Sequence, residues 1–328
     1  MIPRHYNCTV IAGTAQFTGD LEVGMWASAK WTETFVDIEG DLRPAPPLST
    51  RVKMTWDESN LYIGAYLEEP HLWATLTEHD CVIFQDNDFE IFIDPDGDNH
   101  NYFEIEINAL NTTWDLHLPK PYRDKGSARN EWEIPGFASR VTLHGTLNDA
   151  KDRDRGWTLE TSLPWSAFEE YGGVGVPPSP GDIWRINFSR VEWELQIVEA
   201  AYRKVPGTPE HNWVWSPMGV VDMHRPERWG TVCFARDTIA AHEPSLQAEH
   251  TARDQAMKLY YQQHAYFAEH GSWCEDPAAV NAPLGTVITT SNTGFRASLP
   301  WVHPLKGAMT ITVSEDSRLT ITSSGDQR

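Results

Sequence analysis

From residue 83 to residue 118 the chain reads IFQDNDFEIFIDPDGDNHNYFEIEINALNTTWDLHL, and apolar and polar side chains alternate through much of it. Asp88 and Glu90 interleave with Phe89, Ile91 and Ile93, while Glu104, Glu106 and Asn108 interleave with Phe103, Ile105 and Ile107. Successive side chains on a strand point to opposite faces, so each run has one apolar face and one face of carboxylates and an amide. A hairpin turning through DPDGDNHN gathers both acidic rows on one surface. Such a surface suits sugar hydroxyls, a metal ion or proton transfer.

The same strand-like texture recurs at 51–56, 61–67, 89–94, 102–108, 113–118, 158–163, 183–193 and 231–234, with turn-rich segments such as WDESN and PPSPGD between. Many short strands with turn punctuation predict a mainly β fold, an antiparallel β-sandwich of jelly-roll type over residues 1–235. Residues 164–171 carry one or two helical turns. The texture changes in 236–328. Segment 243–270 predicts a long helix, with Leu246, Met257, Tyr260, Tyr261, His264 and Phe267 near helical spacing and Gly271 as its stop. Short strands at 285–290, 295–299, 308–313 and 319–322 complete a small α+β unit, read as a packing or assembly element.

Composition narrows the chemistry. Of 328 residues, 40% are hydrophobic, enough for a core, and the net charge is −21. That balance argues against nucleic acid and anionic membrane as partners, because both need a basic surface. It leaves neutral ligands and divalent cations. The four cysteines, Cys8, Cys81, Cys233 and Cys274, form no CxxC pair, and the histidines are dispersed, so zinc has little support. The N-terminal stretch has no apolar run of signal-peptide length and no segment is long enough to span a bilayer, which predicts a soluble, cytoplasmic chain, or an extracellular one if a leader has been removed.

Five strings, in order, resemble family 9 carbohydrate-binding modules: FTGDLEVGMW at 17–26, VKMTWDESNLY at 52–62, NDFEIFID at 87–94, GWTLETSLP at 156–164 and PERWGTVCF at 226–234. The chain is most similar to the standalone family 9-like branch. The resemblance implies a β-sandwich that binds sugar, a ring held between two aromatics with carboxylate, amide and Arg side chains on the hydroxyls. It places the carboxylate at Glu90 and the first aromatic at Phe84, on the strand parity of Asp88 and Glu90 if that strand extends so far. The second aromatic falls at Met223, beside His224, and the family Arg at Glu106.

Further candidates lie nearby in sequence. Asn108, Trp114 and Asp115 follow the acidic rows. The segment DIWRINFSRVEW puts Arg185, Asn187 and Ser189 on one parity, a complement to the acidic rows across a cleft. Trp213 sits in PEHNWVWSPM, where at least one of the two Trp belongs to the core. The polar rows either bind a ligand or satisfy one another as a structural network. The leading expectation is binding of a neutral or weakly polar carbohydrate through Glu90, without catalysis. Paired carboxylates such as Glu90 and Glu106 keep a glycoside hydrolase open, and a structural protein is the third class. Asp94, Asp96 and Asp98 bring three carboxylates around a Gly turn, which suits a structural Ca²⁺ or a metal-free acidic turn. Oligomeric state is not legible.

Overall fold

The computed structural model describes residues 2–11, 13–236 and 243–323. In chain order its strands are β1 (His5–Val10), β2 (Val36–Asp37), β3 (Thr50–Trp56), β4 (Asn60–Glu68), β5 (Asp88–Asp94), β6 (Tyr102–Asn108) and β7 (Thr113–Leu118). There follow β8 (Ala138–Leu143), β9 (Gly156–Pro164), β10 (Ile183–Glu192), β11 (Leu195–Val198), β12 (Ala201–Lys204), β13 (His211–Val214) and β14 (Gly230–Ala235). A helix, α1 (Glu243–His270), leads to β15 (Val287–Thr290), β16 (Phe295–His303), β17 (Gly307–Ser314) and β18 (Leu319–Ser323).

Twelve strands form one connected sheet that forks at β10. The first half of β10 pairs with β14, and its second half, Ser189–Glu192, pairs with β13. One leaf therefore runs β7-β6-β5-β10-β13-β2, and the other runs β14-β1-β3-β4-β9-β8. Their apolar faces meet. Phe89, Ile91, Ile93, Phe103, Ile105 and Ile107 from the first leaf share one core with Val52, Met54, Leu61, Ile63 and Leu159 from the second. The alternation in β5 and β6 is what aims these side chains inward, and the sandwich is the expected one. Among the described residues it departs from pure antiparallel pairing only at β1, which runs parallel to both β14 and β3.

The outer face of the first leaf is covered rather than solvated. The segment 215–229 folds back over it, and Met218, Met223 and Trp229 pack on Phe92, Tyr102, Leu116 and Leu118 as a second apolar cluster. Asn187 anchors this cover, donating to the Ser216 carbonyl at 2.9 Å and accepting the Ser216 N–H at 2.9 Å. Acidic residues on β5 and β6 are thereby buried at the bottom of a covered trough.

α1 packs on β16 and β17 around Ala256, Met257, Leu259 and Tyr260. Its inward face differs from the one expected, because Phe267 is exposed and Arg253 and Gln263 turn inward. Gly271 ends the helix at φ +70°, a left-handed conformation that glycine adopts without a Cβ clash. The unit docks on the acidic hairpin turn: Arg253 donates to the Gly97 carbonyl, Asn99 to the Ser317 carbonyl, and the Leu319 N–H to the Asp98 carbonyl. Among the described residues no helix is long and apolar enough to cross a membrane. All four cysteines carry free thiols.

Candidate functional site

Antiparallel register builds the site floor. Across β5 and β6, Asp88 stands opposite Asn108, Glu90 opposite Glu106, and Phe92 opposite Glu104. Across β6 and β7, Glu106 stands opposite Trp114 and Glu104 opposite Leu116. These residues share the outer face, and the cover leaves a cavity of about 290 Å³ above them. Glu90, Glu104 and Glu106 line its floor, and Phe84, Phe92, Trp114 and Tyr122 supply aromatic walls. Met223, His224 and Asp222 close it from the covering segment. Trp114 is held by donating its indole N–H to Asn130. A larger cavity of about 880 Å³ adjoins, and the two share Ile38, Asn212 and Val221.

The floor is electrostatically crowded. Burial pushes the Glu90 carboxyl up to about 7. Burial, then repulsion from Glu90, raises Glu104 well above the usual carboxylate range. Glu106 is raised by burial first and then by Asp88, Glu90 and Glu104. One oxygen of Glu106 accepts the Phe84 N–H at 2.9 Å, whereas Glu104 Oε2 and both Asp88 oxygens are buried with no hydrogen-bond partner. His224 shares a hydrogen bond with the Tyr102 hydroxyl at 3.0 Å, and burial holds its imidazole down to about 4.

Several expected site residues lie elsewhere. Phe84 reaches the cavity, but from a 3₁₀ turn, Ile83–Gln85, because β5 begins only at Asp88. Asp88 shares the face of Glu90 but does not line the cavity. Asn108 is a turn clamp: its amide donates to the Leu76 carbonyl and to Asp86, and its oxygen accepts the Leu110 and Thr112 N–H groups. Asp115 sits on the opposite face of β7, where it accepts the Ile134 N–H and stands 3.7 Å from His79. Arg185, Asn187 and Ser189 do not face the acidic rows across a cleft. They occupy the neighbouring strand of the same leaf, opposite Asp94, Phe92 and Glu90 respectively. Asn187 is consumed by the cover, Arg185 donates to the Trp229 carbonyl at 3.2 Å, and Ser189 is buried. Trp213 turns to the core, with the Arg190 guanidinium 5.2 Å from its ring centroid, and Trp215 is also core.

Phe92, Tyr122 and Asp222 line the cavity without having been singled out from sequence. Phe92 shares the parity of Glu90, so the alternation contained it. Tyr122 opens a short 3₁₀ turn and Asp222 comes from a loop, where no periodicity exists to find them.

Asp94, Asp96 and Asp98 do converge, with one carboxylate oxygen of each within 4.8 Å of the others. Asp94 accepts the Gly97 and Asn99 N–H groups, Asp96 accepts the Asp98 N–H, and Arg318 donates to Asp98 at 2.7 Å. Each carboxylate has about four acceptor positions, so these bonds leave capacity for a cation. A Cβ at Gly173 would stand 2.1 Å from Asp96 Oδ2, so the glycine keeps that carboxylate's place open. An all-oxygen donor set of this kind fits Ca²⁺.

No curated protein matches the chain. A candidate carbohydrate-binding protein from Bacteroides uniformis is similar in structure, at TM-score 0.52 and 15% identity over 71% of this chain and 99% of its own. A family 9 carbohydrate-binding module from Caldicellulosiruptor kristjanssonii in complex with cellotriose aligns at TM-score 0.47 and 13% identity over 74% and 100%. The same organism's module in complex with glucose aligns at TM-score 0.48 and 15% identity over 72% and 99%. Residues 19–234, well over half of the chain, match the family described as carbohydrate family 9 binding domain-like, and the chain belongs to this family.

Proposed function

We propose that the chain binds carbohydrate, without catalysis, in the cavity floored by Glu90, Glu104 and Glu106. The observation that carries this reading is the union of three buried acceptors with aromatic walls in one covered trough. Carboxylates accept hydroxyl hydrogen bonds and aromatic faces cover the apolar face of a ring. A volume near 290 Å³ is at the lower end of small-molecule pockets, which run from roughly 300 to 1,000 Å³, and it suits a single terminal ring. A longer saccharide continues past Ile38 and Asn212 into the adjoining cavity.

Glu90 and Glu106 stand side by side on neighbouring strands of one face. They do not flank an open cleft from opposite sides, as the acid and its partner do around a glycosidic bond. A glycan panel with product detection tests both halves of the proposal. Binding without products supports it, and turnover lost in Glu90→Gln would replace it with a hydrolase. Glu90→Gln should weaken binding roughly tenfold or more, since a charge-assisted hydrogen bond contributes about 1.5–3 kcal/mol. Unchanged affinity in that variant moves the site elsewhere. The Asp94–Asp98 turn is proposed to hold one structural Ca²⁺ through Asp94, Asp96 and Asp98.

A further inference from the structure

The cavity contains an imbalance that a neutral sugar leaves standing. Glu90, Glu104 and Glu106 line it, and among the described residues no Lys or Arg does. Asp222, also in the lining, is answered by Arg225 at 2.9 Å and by the His224 N–H at 3.0 Å. Arg123, which donates to the His224 carbonyl, has its own charge met by Glu227 at 3.0 Å. His224 lends no positive charge near neutral pH. Glu104 is buried, faces the cavity and has an oxygen with no partner. Several carboxylates held together out of water need a counter-charge or must keep their protons. The walls are the other half of the observation. Phe84, Phe92, Trp114 and Tyr122 offer π faces, which attract organic cations as well as sugar rings.

We infer that the saccharide bound here carries a free, protonated amine, as an unacetylated amino sugar does, with the ammonium seated on Glu104, Glu106 and Glu90. The inference rests on the carbohydrate reading given above and names the class of sugar. An ammonium brings one positive charge and three N–H donors to a floor of three carboxyls, and its charge favours their ionised, accepting form. A glucose hydroxyl in the same place brings donors and no charge. Acetylation removes the charge and adds bulk. A bare divalent cation on Asp88, Glu90 and Glu106, whose oxygens lie within 4.8 Å of one another, is the competing occupant. It would leave four aromatic walls without a purpose, so the organic cation is favoured.

Calorimetric titration of the full chain with a glucosamine trimer, its N-acetylated counterpart and cellotriose, near neutral pH with EDTA present, tests this directly. The glucosamine trimer should bind at least tenfold more tightly than either of the others, with a preference that shrinks at high salt. Glu104→Gln should erase the preference, and Glu90→Gln serves the same purpose if the first variant melts below the working temperature. Equal affinity for the glucosamine trimer and cellotriose overturns the amine inference and leaves the carbohydrate reading standing. Binding of tetramethylammonium as tight as that of the glucosamine trimer, with no binding of cellotriose, overturns the carbohydrate reading instead. In a repeat without EDTA, binding that appears only with added calcium and persists in Asp96→Asn assigns the floor to a metal ion and overturns the amine. Binding of none of these probes ends both readings.

Discussion

Glu90 and Glu106 face each other directly across β5 and β6, both shut away from solvent. Like charges directly opposite on one face of a sheet destabilise it, and burial removes the water that would screen them. Glu106→Gln keeps the shape and the acceptor for the Phe84 N–H while removing one charge. It should raise the melting temperature near pH 8, by roughly 2–4 °C for each kcal/mol of relief. Differential scanning calorimetry reads this. A lower melting temperature would mean that the two carboxyls share a proton and support each other.

The same crowding sets a pH dependence. Burial holds Glu90 up to about 7, and burial and then neighbouring carboxylates raise Glu104, Glu106 and Asp88 well above the usual carboxylate range. Around them stand Asp86, Glu210, Asp222, the phenols of Tyr102 and Tyr122, and His224. The folded chain therefore binds more protons than the unfolded chain between the usual carboxylate range and about pH 7, so this contribution is full at low pH and is lost as pH rises through that window. His117 and His224 oppose it. Burial lowers both to about 4 from 6.5, so their contribution grows as pH rises between those values. With four raised carboxyls set against two lowered imidazoles, the net contribution of these groups should fall as pH rises from the usual carboxylate range to about pH 7. Glu90→Gln should flatten the fall, and melting curves that decline as steeply in the variant would remove Glu90 as a cause.

How much of this was visible in the residues can be judged strand by strand. Phe89, Ile91 and Ile93 alternate with acids, and that alternation alone placed them in the core and Glu90 on the other face. The segment His211–Val214 was missed because four residues carry too little pattern, yet it splits β10's pairing and makes the fork. The largest gap was tertiary. A row of carboxylates reads as a solvated face until Met218, Met223 and Trp229 fold over it, and nothing local announces that cover. Phe84 lines the cavity, but from a 3₁₀ turn and not from the strand. Arg185, Asn187 and Ser189 were on the right parity and in the wrong relation, because parity says which face a residue takes and not which leaf faces which.

Asp124 tests how the C-terminal unit is held. One of its oxygens accepts the Tyr260 hydroxyl at 2.6 Å and the other accepts the Ser317 hydroxyl at 2.6 Å, all buried. Tyr260→Phe leaves a buried carboxylate short of a donor, which costs about 1–3 kcal/mol. Hydrogen exchange should quicken in α1 and β18 with little change in β5 and β6. Uniform loosening across both would show that the unit and the sandwich unfold together.

The acidic turn decides between two ways of holding three carboxylates. Asp98 already has Arg318, and Asp94 has two backbone N–H groups, so part of the charge is met by protein. Asp96 accepts the Asp98 N–H at one oxygen, and its second oxygen packs against Gly173, where a Cβ would clash with it. If Ca²⁺ completes the set, EDTA should lower the melting temperature and calcium should restore it, because an ion bound only by the folded chain stabilises it by mass action. Asp96→Asn should abolish that response while sparing the Arg318 contact, which Asp98→Asn would also break. Melting indifferent to EDTA, with metal analysis finding less than one calcium per chain, would falsify the site. Arg318, Arg253 and the turn's own N–H groups would then suffice, and the turn would serve as the seat of the C-terminal unit alone. The carbohydrate cavity does not depend on the answer, since Glu90 and Glu106 are positioned by the β5–β6 register and the cover over it.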